Sequence, residues 1–196
     1  MILSAFRRRH QDDVIRTLYG AIVAQARAAA FYAHYGVADS IEGRFELLVL
    51  HLVLVLRRLD GGVKSDPHGG LKPDPRPASS IAAVGQQLFD LFCRDLDDNL
   101  REMGVGDLAV PRRMRQFGEA FYGRQAAYRA ALVAANPQEL EKALARNILG
   151  QTETNENAAR LARYTRSAVA LLAAAADADL LAGKVEFPKP ETLQNG

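Results

Sequence analysis

The chain has 196 residues, one cysteine (Cys93) and no tryptophan, which excludes an intramolecular disulfide framework and a multi-cysteine zinc site. Its 25 basic and 23 acidic residues nearly cancel to +2, which argues against a uniformly basic nucleic-acid binder. Alanine is the commonest residue at 33, and hydrophobic residues make up 48%, so composition points to a helical globular protein with its own core.

The N-terminus places Arg7, Arg8, Arg9 and His10 behind a short apolar tip. That order does not fit a secretory signal, so the chain is expected to remain cytoplasmic. The basic segment 1–10 has two readings: a disordered terminus, or a peripheral contact with an anionic inner membrane, each basic residue adding ~1 kcal/mol.

The first helix is predicted over residues 11–31, with Leu18, Ile22 and Ala29 near one face and Gly36 as the stop after it. In the second helix Asp39 is placed to cap and Glu42 to complete a capping box. Ile41, Phe45, Leu48, Leu52, Val55 and Leu59 then follow a helical spacing, while Leu47, Val49, Leu50, Val53 and Leu54 make the other faces apolar too. A helix apolar nearly all round is a buried central helix, or one lining a groove for an apolar partner.

Residues 61–80 hold four glycines and four prolines and read as a mobile loop. The third helix starts near residue 80 and ends at Met103, stopped by Gly104. Its buried stripe is Ile81, Val84, Leu88, Phe92, Leu96, Leu100 and Met103. Its polar side carries the ladder Asp90, Arg94, Asp97 and Arg101 and an acidic line of Asp95, Asp98 and Glu102. Pro111 suits the first turn of a fourth helix, whose inner face is Val110, Met114, Phe117, Phe121, Tyr128 and Leu132. A fifth helix follows Asn136 and Pro137. A sixth is predicted over residues 155–181, with Leu161, Tyr164, Ala168, Leu171 and Leu172 inward, and residues 183–196 read as a disordered tail. The fold class is therefore all-α: a single helical domain of about six helices over residues 11–182.

No metal or catalytic set emerges. No histidine has a glutamate three residues before it, and His51, inside an apolar run, reads as a core histidine. Cys93 reads as a small hydrophobe. The acidic line is compatible with a solvated face, a partner surface, or a Mg²⁺ site for an isoprenoid or quinone ligand in a small helical enzyme. That last reading needs a second carboxylate cluster, which the sequence lacks. Arg112, Arg113 and Arg115 fall in the first turns of the fourth helix, where the macrodipole is already positive. They call for pairing with Glu102, Asp107 or Glu119, or for an anionic partner.

Three blocks resemble the ubiquinol–cytochrome c chaperone family. The first is Phe31-Tyr32 with Tyr35-Gly36-Val37-Ala38-Asp39-Ser40-Ile41-Glu42-Gly43-Arg44-Phe45-Glu46. The second and most specific runs from Phe89-Asp90 through Leu100-Arg101-Glu102-Met103-Gly104-Val105-Gly106-Asp107 to Val110-Pro111. The third is Phe121-Tyr122-Gly123-Arg124 with Ala127-Tyr128. The likeness covers about residues 11–180 and is closest to bacterial members. It implies a non-enzymatic assembly factor for the respiratory cytochrome bc1 complex, without cofactor, whose client is cytochrome b. Arg44, Asp95, Asp98, Arg101, Glu102, Asp107 and Arg124 would form or support the client surface, with the basic Arg112, Arg113 and Arg115 beside them. Ala38 stands where the family pattern has proline, and no mitochondrial targeting extension is present, so ribosome binding is not carried over.

Overall fold

The computed structural model describes residues 2–60 and 81–193, with the backbone alone for residues 2–10, 60 and 193. Among the described residues every regular element is helical: α1 (Ile2–Ala26), α2 (Ala29–His34), α3 (Ile41–Asp60), α4 (Ile81–Glu102), α5 (Val110–Val133), α6 (Gln138–Ile148), α7 (Glu156–Ala174), α8 (Asp177–Leu181) and a 3-10 turn, Pro190–Leu193. The all-α class stands. The expected loop at 61–80 lies outside the described residues.

The boundaries differ from expectation in instructive places. α1 begins at Ile2, because nothing before Gly20 breaks a helix; the disordered reading of the N-terminus does not hold over residues 2–10. The long first helix ends at Ala26, and α2 forms a separate turn that closes at Gly36, whose φ is +70°. A Cβ at Gly36 would lie 2.2 Å from the Asn157 side-chain amide, so the position needs glycine twice over. The sixth helix likewise ends at Ala174, with α8 restarting after it.

Capping of α3 also departs from the expected box. Ser40, not Asp39, is the cap: its Oγ accepts from the Gly43 amide at 3.1 Å. Asp39 instead accepts from Arg44 Nε at 2.7 Å. At the far end of α4, the Gly104 amide bonds to the Arg101 carbonyl and the Val105 amide to that of Leu100, with Gly104 at φ +80°. This double bond pattern is the Schellman stop that the Met-Gly-Val-Gly string encodes.

The chain divides into two compact units. The first contains Met1–Ala21, Val55–Tyr122 and Ala175–Val185. Its core holds Leu18, Val55, Leu59, Leu88, Phe92 and Leu180, and α4 packs on α8. The Phe89 ring lies tilted 4.9 Å from Phe121 and 6.1 Å from Tyr122, and Phe92 adds a fourth ring against Phe121. Arg58 donates to the Ala175 carbonyl and to Asp177.

The second unit contains Ile22–Leu54, Gly123–Ala174 and Glu186–Gly196. Here α6 packs on α7 around Phe31, Tyr35, Leu140, Leu144, Leu161 and Tyr164. Between Leu47 and Leu54 every residue except Leu48 is buried, so this stretch of α3 is core; each such Leu or Val contributes about 1.5–3 kcal/mol. His51 is fully buried. Its Nδ1–H donates to the Leu47 carbonyl, and its Nε2 accepts from the Tyr164 hydroxyl, both at 2.7 Å. The core-histidine reading is correct, and burial pushes its pKa down to about 4.

The tail is not disordered over residues 183–193. Tyr35 donates to the Pro190 carbonyl at 2.7 Å, Gln25 donates to that of Pro188, and Phe187 packs edge-on against His51 at 5.3 Å. The prolines cannot continue a helix, but their carbonyls remain free to accept. Ile41, Met103 and Leu171, assigned to inner faces, are instead exposed.

Candidate functional site

Within the second unit, the first and third blocks meet at one ion pair. Arg124 on α5 donates through Nε and Nη2 to the two carboxylate oxygens of Glu46 on α3. The side chains are 23% and 11% exposed, so this bidentate pair is largely removed from water. Burial, opposed by the Arg124 hydrogen bonds, leaves the Glu46 carboxyl above its ordinary pKa. Tyr128, one turn beyond Arg124, is fully buried; burial and then the Glu46 charge push its hydroxyl up. Arg44, by contrast, is exposed and paired with exposed Asp39. The structure therefore separates two residues that the sequence grouped together: Arg124 holds helices, and Arg44 faces solvent.

The second block lies in the first unit and builds a polar surface along α4. Asp95 accepts from the Tyr19 hydroxyl at 2.7 Å. Of the expected ladder, the Asp97–Arg101 rung forms at 2.8 Å, whereas Asp90 accepts from Gln86 rather than Arg94. Arg101 also reaches Asp107 across the connector. Asp98 and Glu102 are exposed. Residues of α1 and α4 enclose a groove of about 590 Å³, lined by Asp12, Arg16, Asp90, Arg94, Asp95 and Asp98 among others. Among the described residues no three of His, Cys, Asp or Glu are grouped to hold a metal ion. Cys93 is half-buried, and burial, with Asp90 nearby, pushes its thiol up to about 11, the behaviour of an inert packing cysteine.

Of the basic cluster on α5, Arg115 lies 3.9 Å from Glu119. Asp107 is engaged by Arg101. Among the described residues Arg112 and Arg113 have no ion-pair partner; with Ala109 and Gln116 they edge a hollow of about 250 Å³. The expected local pairing is thus met at one arginine of three.

Sequence reasoning did not single out Glu46 or Tyr19, which organise these places, whereas the Asp97–Arg101 rung was expected. The signal for Glu46 was present: a lone carboxylate between Phe45 and Leu47, at the head of an apolar run.

A model of the ubiquinol-cytochrome C chaperone family matches residues 33–187, spanning all three blocks apart from the first two residues of the first. The chain belongs to the ubiquinol–cytochrome C chaperone family. Among solved structures it is similar to the Cbp3 homolog from Brucella abortus, with 36% identity, a TM-score of 0.78, and coverage of 97% of this chain and 98% of that one. No curated protein matches. Family membership supports a chaperone role. Among the described residues no helix is long and apolar enough to cross a membrane.

Proposed function

We propose that this chain is a non-enzymatic assembly factor that chaperones cytochrome b during biogenesis of the cytochrome bc1 complex. The observation that carries the reading is the family match over residues 33–187, supported by the near full-length likeness to the Cbp3 homolog. The client is a hydrophobic membrane subunit, met at the cytoplasmic side of the inner membrane.

Two surfaces serve as the client face. In the first unit it is the end of α4 and the connector after it, where Asp95, Asp98, Arg101, Glu102 and Asp107 present charge, flanked by Arg112, Arg113 and Arg115. In the second unit it is exposed Arg44, with Arg124 acting behind it through Glu46. Paired but exposed charges suit such a role, because they can exchange partners at little cost.

The test is deletion of the gene in its host, followed by measurement of cytochrome b level and bc1 activity. Both are expected to fall and to return on complementation. Normal bc1 in the deletion strain would overturn the reading.

A further inference from the structure

The connector between α4 and α5 carries an apolar tip that the fold leaves uncovered. Leu108 is 99% exposed and lies inside a turn in which the Ala109 and Val110 amides donate to the Gly106 carbonyl; Met103, 60% exposed, precedes that turn at the end of α4. A leucine so exposed makes almost no contact with its own protein. Beside it stand Arg112 and Arg113, both exposed and, among the described residues, without a carboxylate partner. The nearby acids do not offset them: Asp107 is committed to Arg101, and Glu119 lies against Arg115. Glu102 sits on the last turn of α4, on the other side of the connector.

We propose that this tip is a membrane-docking surface, in which Leu108 enters the interfacial layer of an anionic bilayer while Arg112 and Arg113 bind lipid phosphates. Charge complementarity selects the occupant. Two arginines flank a hollow of about 250 Å³ whose other walls are Ala109 and Gln116, a chemistry suited to a phosphodiester. The shape of the tip favours lipid over protein. A single side chain standing free at a turn has no surrounding apolar patch to match against a rigid partner, whereas fluid acyl chains close around it without shape complementarity. One inserted turn and two unpaired cations make a weak, reversible contact, not an anchor. The inference stands on this surface alone and does not require the identity of the client.

The experiment is co-sedimentation of the full-length protein with vesicles of phosphatidylcholine alone and of phosphatidylcholine mixed with phosphatidylglycerol. The expected result is partition into the anionic vesicles that weakens with salt and falls several-fold in both Leu108→Asp and Arg112→Gln/Arg113→Gln. All three substituted side chains are exposed, so the variants should melt like the parent chain. A third variant, Arg7→Gln/Arg8→Gln/Arg9→Gln, isolates the basic N-terminus and is expected to leave the several-fold loss from Leu108→Asp intact. Equal partition of wild type and both tip variants, or no vesicle binding by wild type, would overturn the proposal. Inorganic phosphate displacing the protein with Leu108→Asp unaffected would reassign the tip to a free anion. Loss of cytochrome b capture by Leu108→Asp without any vesicle binding would reassign it to a protein partner.

Discussion

Arg124 donates to both carboxylate oxygens of Glu46, joining α5 to α3 inside the second unit. The two residues come from blocks far apart in sequence, and neither is an isolated surface charge. Removing one partner takes this bidentate pair away from a charge that stays largely buried. For fully buried pairs that costs about 3–5 kcal/mol, and the residual exposure of this pair brings the expectation down to about 2 kcal/mol. Glu46→Ala and Arg124→Ala should each lower stability by that amount in urea unfolding. The double variant should lose less than the sum, because the charge left behind is gone. Strict additivity would show that the pair contributes no coupling.

His51 makes stability depend on pH. Its folded-state pKa, about 4, lies below the ordinary value of 6.5, because burial disfavours the cation. Stability is therefore fully present above pH 6.5 and lost as pH falls toward 4, where the unfolded chain binds a proton that the folded chain refuses. The shift corresponds to about 3 kcal/mol across that window. His51→Gln, which can still donate to the Leu47 carbonyl and accept from Tyr164, should flatten the dependence of Tm on pH between 6.5 and 4. An unchanged slope would show that other groups set it.

The helical class and the core stripe of α4 from Val84 to Leu100 were readable because spacing and burial there answer to one periodicity. The Gly104 stop was readable because a left-handed residue is needed there. What failed is equally specific. Ile41 is the first residue of α3 and Met103 follows the last of α4, so periodicity placed both inside while the fold leaves these helix ends at 72% and 60% exposure. Asp39 and Ser40 are both good caps, and only the Arg44 side chain, which draws Asp39 away, decides between them. The Glu46–Arg124 pair is a tertiary contact, and neither helix records it in its own pattern.

The tail offers a third test. Residues after 185 looked disordered by composition, yet they place the Pro188 and Pro190 carbonyls against Gln25 and Tyr35 and the Phe187 ring against His51. Truncation after residue 185 strips one hydrogen-bond acceptor from buried Tyr35 and one from half-buried Gln25, and uncovers aromatic surface. The expected cost is about 2–4 kcal/mol, read as a fall in Tm of several degrees. A truncated chain with the parent Tm would show that the tail merely rests on the surface. Tyr35→Phe, which removes only the hydroxyl, should cost about 1 kcal/mol.

Arg101 separates local structure from client binding. It bridges Asp97 and Asp107, but its side chain is 48% exposed and that of Asp107 84%, so water and salt screen both pairs. Arg101→Gln should leave Tm close to that of the parent chain, against the larger loss expected at Arg124. If the end of α4 is the client face, the same substitution lowers cytochrome b and bc1 activity in a complemented deletion strain while the purified protein keeps its Tm. Glu102→Gln, with no ion pair among the described residues, should behave alike. Full bc1 activity with both variants would confine the ladder to a local role and move the client face to the surface around Arg44. A parallel fall in Tm would show that Arg101 carries more of the fold than its exposure allows.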